Sequence, residues 1–362
     1  MRIVVVGGGM QGLVIAKNLK NREENPEVVV ADVKQPAKLP DGVKFQQANV
    51  LDAKQAAELV KGADAVVLAV PSSIAHEALN NLIKTGVAVA DVSFTPDPPL
   101  SLHDEAKKHG AICVVDIGVA PGLSHILVGS AFEQMGGLDS ARILVGGIPM
   151  NPPEVFKHAV YFNPHDLFSE YVRPARARKH GADIAPSPMD VAIEKFHDNE
   201  VGQLEMFLSD GLRSLLNSYP DVADMAELTL RWPGHLEAMS NLHKMGLLHD
   251  EESCRAIASQ MGVRYPASEY PDMLLLVVEA KKGAKSKRWR MLDRHTNAQS
   301  AMSRTTGYTT SAIAMLLARK QFNEPGVHAP EKLGHSPHLV QAILADLAER
   351  GVKVTEDAAT PA

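Results

Sequence analysis

The chain has 362 residues, more than a single hydrophobic core usually serves, so two domains are the natural expectation. Apolar residues make up 45% and charged residues 22%, a balance that excludes a largely disordered chain. A net charge of -6 with both signs interspersed offers no footprint for nucleic acid or an anionic membrane, and two cysteines without ligand spacing exclude a disulfide framework or a structural zinc site.

The first third alternates short β-branched runs with helical patterns. Arg2–Val6, Val28–Ala31, Ala65–Val70, Val87–Val92 and Ile112–Val115 read as strands covered on both faces, because they are continuously apolar rather than alternating. Between them Leu13–Lys20, Ala53–Lys61, Ile74–Lys84 and Ser101–His109 carry helical spacing. This is the pattern of a doubly wound parallel sheet over residues 1–120, the Rossmann arrangement.

Gly7, Gly9 and Gly12 form G-x-G-x-x-G directly after the first strand and at the head of a helix, with Met10 and Gln11 inside the turn. One glycine makes the turn, one lets the backbone approach a pyrophosphate, and one lets helix and strand pack closely. Asp32 follows at the end of the second strand, where a carboxylate accepts the adenine ribose hydroxyls and repels a 2′-phosphate. NAD is therefore the expected cofactor, with Lys34 and Lys38 as the signal for NADP. Ligands of such sheets lie at the carboxyl ends of the strands, which adds Ala69, Val70, Pro71 and Ser72, then Asp91, Val92 and Ser93, then Asp116 and Gly118.

After Pro121 the texture changes to longer strands, hairpin turns and scattered prolines. Residues 121–304 read as a second, α+β domain, with strands at Ala141–Val145, Lys157–Phe162, Val191–Phe196, Ala226–Leu230 and Met273–Glu279 and helices at Leu212–Ser218 and Leu236–Met245. The basic cluster from Lys281 to Arg290 brackets Gly283 and reads as a solvated hairpin turn. Helices at Tyr308–Lys320 and His338–Arg350 are expected to complete the first domain from about residue 305 to 350, and the tail from Thr355 to fray. No apolar run reaches membrane-spanning length and the start lacks a secretory signal pattern, so a cytoplasmic protein without membrane or nucleic-acid partners is expected.

Four blocks, Asp116–Gly122 (DIGVAPG), Val145–Pro149 (VGGIP), Leu230–His235 (LRWPGH) and Ser303–Tyr308 (SRTTGY), resemble the saccharopine dehydrogenase/lysine 6-dehydrogenase family over nearly the whole chain. The shorter L-lysine 6-dehydrogenase type is the nearest likeness, and Ser209, Asp210, Gly211 and Arg213 (SDGLR) point the same way. The resemblance implies a Rossmann domain completed by C-terminal helices, an inserted α+β substrate domain and a homodimer. It also covers saccharopine reductases and carboxynorspermidine dehydrogenases, which act on secondary amines.

The chemistry follows from the substrate class. Hydride leaves a carbon when the attached nitrogen pushes with its lone pair, so an amine must first shed a proton to a base. Asp116 and His235 are the candidate bases, with His235 read equally as a structural residue that caps the following helix or bonds a backbone carbonyl, and the reaction needs no metal. Arg213 and Arg231 are the candidate clamps for a substrate carboxylate, since a guanidinium fork matches a carboxylate bidentately. Ser209, Asp210 and Tyr171 join them as substrate-binding candidates, with Tyr308 as a further pocket residue. A saccharopine-like substrate would need extra cations, which Arg173, Arg176 and Arg178 could supply. A dinucleotide-binding sensor without catalysis is the alternative from another class.

Overall fold

The structure, a computed structural model, describes residues 1–95, 98–249, 251–296 and 299–357. Six strands open the chain: β1 (Arg2–Val6), β2 (Glu27–Asp32), β3 (Lys44–Gln47), β4 (Ala65–Leu68), β5 (Val89–Asp91) and β6 (Ile112–Val114). Eight follow: β7 (Ser140–Pro149), β8 (Ala177–Lys179), β9 (Ala182–Ile184), β10 (Glu194–Asp198), β11 (Gly202–Ser209), β12 (Asp224–Arg231), β13 (Asp272–Lys282) and β14 (Lys285–Arg294). The last two, β15 (Gly326–His328) and β16 (Val354–Glu356), return one to each of two sheets. The chain divides into two compact units, one of Met1–Ser130 with Ser303–Gly351, the other of Ala131–Met302 with the segment from Val352.

The first unit is built on a seven-stranded sheet in the order β15-β6-β5-β4-β1-β2-β3, every pairing parallel. That is the doubly wound order, extended by one strand beyond β6. Val4, Val6, Val29, Val66, Leu68 and Val327 pack with Leu79 and Leu82 of the helix Ser72–Ile83 in its core. Two strands lacked a sequence signal. β3 reads KFQQ because it is an exposed edge, where no face demands apolar residues, and β15 is only three residues long.

The second unit holds a mixed sheet in the order β10-β11-β12-β7-β13-β14-β16, with β8 on β12 and β9 on β8. Here alternation replaces continuous apolarity. Leu228 and Leu230 of β12 join Leu204 and Met206 of β11 and Leu275 and Val277 of β13 in one core. Successive side chains alternate faces, so Glu227, Thr229 and Arg231 share the opposite face, paired in register with Ser209, Phe207 and Glu205 of β11. That face is covered by a second core in which Phe156, Phe168, Tyr171 and Phe207 pack with Leu236 and Met239 of the helix His235–Lys244.

Five sequence expectations are corrected here. Lys157–Phe162 is not a strand: apart from a single bridge from Val160 to Pro266, it is irregular backbone buried by side-chain packing. The strand expected from Val191 begins only at Glu194, and the helix expected from Leu212 begins at Leu215, after Arg213 has taken a left-handed conformation with φ 46°. Thr355 and Glu356 do not fray, because β16 pairs with β14; residues 358–362 lie outside the described range. Finally, the helix Ala301–Ala318 starts before Tyr308 because the buried Asp272 carboxylate of β13 accepts hydrogen bonds from the amides of Ala301 (2.7 Å) and Met302 (2.9 Å). The β13–β14 hairpin turns at Gly283 as expected. Its cations are met by acids, Lys282 by Asp139 and Arg290 by Asp198 and Glu200.

Candidate active site

The glycine loop of the first unit shows why each glycine is required. Gly7 has φ 109°, and a Cβ there would stand 2.1 Å from the Ala69 carbonyl oxygen. At Gly12 a Cβ would lie 1.9 Å from the Gly7 oxygen, so only glycine lets the helix Met10–Lys20 approach its strand. Gly9 is different. It caps that helix with ordinary extended backbone, and nothing lies within 4 Å of where its Cβ would be. Open space above a helix N-terminus is a cradle for phosphate, so the residues present fit a dinucleotide.

Asp32 stands beside this loop. Its Oδ2 accepts from the Gly8 amide at 2.7 Å and its Oδ1 from the Lys34 amide at 3.2 Å. Gln11 donates to the Ser303 carbonyl at 3.0 Å and exposed Met10 touches the Ser303 hydroxyl, so the turn is tied to the helix Ala301–Ala318. At the sheet's carboxyl edge Val70 N donates to Ser93 Oγ (3.2 Å), Ser93 N donates to Asp91 Oδ1 (2.8 Å), and Val92 N donates to the Leu68 carbonyl. Pro71 caps the helix Ser72–Ile83. Asp116 follows β6 with φ 55° and a largely buried side chain, and Gly118 bridges to Gly122 just beyond it. Tyr308, expected in a pocket, lies against Arg304, whose guanidinium carbon is 5.6 Å from its ring centroid.

In the second unit the buried Arg231 side chain anchors a directed chain of hydrogen bonds. Arg231 Nε donates to Tyr171 Oη at 3.0 Å. The Tyr171 hydroxyl lies 2.8 Å from His235 Nε2, and His235 Nδ1 lies 2.7 Å from the Phe156 carbonyl oxygen. A carbonyl only accepts, so Nδ1 carries the proton, Nε2 accepts from tyrosine, and every group is satisfied. The rest of the fork is also engaged: Nη1 donates to the Leu230 carbonyl (3.0 Å) and Nη2 to Glu170 Oε2 (2.8 Å). The guanidinium carbon also lies 5.9 and 5.8 Å from the centroids of the Tyr171 and Phe207 rings, within cation–π range of both. Arg231 therefore already holds a carboxylate, that of its own chain.

This geometry corrects the view of His235 as a base facing substrate. Its ring is fully buried and both nitrogens are occupied. Burial, with the Arg231 charge nearby, pushes its pKa down to about 3. Burial likewise pushes the Tyr171 hydroxyl up to about 12, so the pair stays neutral across the ordinary pH range. Next to His235, with ring centroids 5.1 Å apart, His158 is buried and its Nδ1 has no hydrogen-bond partner among the described residues.

The remaining candidates form a second cluster. Thr229 donates to Ser209 Oγ at 2.8 Å, and Ser209 donates to Glu227 Oε1 at 3.3 Å. Asp210 is gripped by Arg176 through Nε (2.7 Å) and Nη2 (3.0 Å), with Arg173 at 3.3 Å. Arg178 belongs to neither group: it is buried and donates to the carbonyls of Leu216, Tyr219 and Pro220, a structural post. Arg231 makes its bonds with Tyr171, Leu230 and Glu170 and none with the segment of Arg213, which sits half-buried two residues before the helix Leu215–Ser218. Sequence reasoning missed Glu170 and Glu227. For Glu227 a signal existed, since Glu-Leu-Thr-Leu-Arg over 227–231 places a polar residue at every second position of a strand bound for a core. Nothing local marked Glu170.

Comparison with known proteins bears on both units. Residues 3–114 match the saccharopine dehydrogenase NADP binding domain, and residues 118–352 match the saccharopine dehydrogenase C-terminal domain. A curated relative, saccharopine dehydrogenase [NADP(+), L-glutamate-forming] of Schizosaccharomyces pombe, is 26% identical over 155 residues, covering 41% of this chain and 34% of its own. The match thus spans about a third of that relative's length. Among solved structures, apo saccharopine dehydrogenase (L-Glu forming) from Saccharomyces cerevisiae aligns with a TM-score of 0.79 at 17% identity, over 98% of this chain and 99% of that one. The DAP dehydrogenase of C. glutamicum in complex with DAP aligns with a TM-score of 0.50 at 13% identity, over 97% and 98% of the two chains. These likenesses show a shared fold.

Proposed function

The chain belongs to the saccharopine dehydrogenase family, and from that premise we propose that it oxidises the amine-bearing carbon of an amino acid with NAD, acting on L-lysine to give 2-aminoadipate semialdehyde and ammonia. The observation that carries the reading is Arg231, a buried guanidinium whose fork holds a carboxylate on the polar face of the second sheet. A substrate carboxylate taking the place of Glu170 would meet a fork already oriented by Tyr171 and His235. Bound at the glycine loop, the nicotinamide cofactor supplies the hydride acceptor. A base takes the proton from the substrate ammonium, so that the nitrogen lone pair can push as the C–H bond breaks. Water then hydrolyses the imine, releasing ammonia.

NAD is favoured over NADP by the Asp32 carboxylate beside Gly8, which would repel a 2′-phosphate. The second reading, oxidation of a secondary amine such as saccharopine with NADP, takes its support from the family description and the fission-yeast relative. We include a homodimer in the proposal, to be checked by light scattering.

The test is absorbance of reduced cofactor at alkaline pH, with NAD and then NADP, against L-lysine, saccharopine and a panel of other amino acids and diamines. A lysine-dependent signal with NAD supports the proposal. A signal with saccharopine alone moves the protein to the second reading, and silence despite dinucleotide binding would make it a binding protein rather than a dehydrogenase.

A further inference from the structure

Glu227 is the anomaly of the second unit. Its side chain is buried, Oε1 accepts from Ser209, and Oε2 has no hydrogen-bond partner among the described residues. The large majority of buried side-chain polar atoms are paired, so an orphaned carboxyl oxygen points to a donor that arrives with a ligand. The carboxyl group lies close under the backbone of Gly211, where a Cβ would fall 1.6 Å from Oε1 and 2.2 Å from Oε2 and push the carboxyl group aside. Glu227 also shares its sheet face with Arg231, four residues along β12 and hence about 13 Å away.

Resting on the substrate class proposed above, we infer that Glu227 is the specificity-determining residue for a diamino acid, receiving its terminal ammonium while the carboxylate is held at Arg231. A plain α-amino acid carries both groups on one carbon and cannot reach both sites, whereas an alkyl chain with an amine at its far end can. The surroundings suit a cation that comes and goes. Glu170 and Asp210 add negative charge near the carboxyl, Arg173 opposes it, and Ser209 supplies a neutral donor. Burial first, and then the Glu170 charge, push the Glu227 pKa up to about 8, so the group is a neutral acid until an ammonium arrives to stabilise its ionised form.

The experiment is calorimetric titration of the full chain at pH 7 with L-lysine and with L-norleucine, which has the same carboxylate and a similar chain without the terminal amine. The wild type is expected to bind lysine at least tenfold more tightly. Glu227→Gln should keep its norleucine affinity and lose most of that preference, with Glu227→Asp recovering part of it. An unchanged preference in Glu227→Gln would overturn the inference while leaving the proposed function intact. Failure of the wild type to bind either compound would overturn the proposed substrate, and the inference with it. If the variants do not fold, repeating the wild-type titration in buffers of different ionisation enthalpy decides the matter. Lysine should release about one more proton than norleucine as Glu227 ionises, and equal release overturns the assignment.

Discussion

A buried guanidinium that binds a carboxylate of its own chain leaves an incoming carboxylate two options, to compete or to be excluded. Burial raises the pKa of Glu170, which weakens its hold as a competitor, so Glu170→Gln is expected to lower the KM for the amino acid several-fold with little change in dinucleotide affinity. A rise in KM would mean that Glu170 supports Arg231 rather than occupying it. His235 gives a pH-dependent counterpart. Its folded pKa lies below the unfolded value, so its neutral form contributes stability that is fully present above about pH 6.5 and is lost as pH falls toward 3. His235→Phe should cost about 1–3 kcal/mol at pH 7, because the Tyr171 hydroxyl loses its acceptor and the Phe156 carbonyl its donor. Urea unfolding at pH 5 and pH 7 should show a smaller pH difference for this variant than for the wild type. The residue types of the second unit were legible in the sequence: Arg231, Tyr171, Ser209 and Asp210 all fall in polar clusters. Their partners were not, because Glu170 reaches Arg231 across 61 residues and no local pattern records such a meeting.

Among the elements, the glycine loop separates two kinds of requirement that the motif alone merges. Gly12→Ala drives a methyl into the Gly7 carbonyl, so it should lower both the thermal midpoint and dinucleotide affinity, costing about 1–3 kcal/mol of stability. Gly9→Ala meets no neighbour. Its thermal midpoint should stay near that of the wild type while dinucleotide affinity falls at least tenfold, as read by fluorescence titration. Equal effects of the two substitutions would remove Gly9 from the phosphate cradle. The parallel strands were readable because burial on both faces leaves continuous runs such as Ile-Val-Val-Val in β1. Edges and short connectors were not. β3 is polar because its outer edge is solvated, and Lys157–Phe162 looks like a strand because a segment buried by packing needs the same apolar residues as one buried by pairing.

At the scale of the whole molecule, the dinucleotide residues fall in one compact unit and the Arg231 cluster in the other. Arg231→Ala should therefore weaken amino-acid binding by tenfold or more and leave NAD affinity nearly unchanged; parallel loss of both would show that Arg231 serves the architecture rather than the substrate.

The strand order carries one more consequence. The first sheet receives β15 only after residue 325, and the second receives β16 only after residue 353, although both sheets are begun far earlier in the chain. During translation, then, β6 stands at the border of one sheet until residues 326–328 have left the ribosome, and β14 at the border of the other until residues 354–356 have. Unsatisfied borders are templates for the wrong neighbour, and late, non-local closure slows folding. Chaperone dependence should consequently concentrate in the interval before β15 and β16 emerge, and stalled chains ending near residue 320 should aggregate more readily than chains that carry both strands.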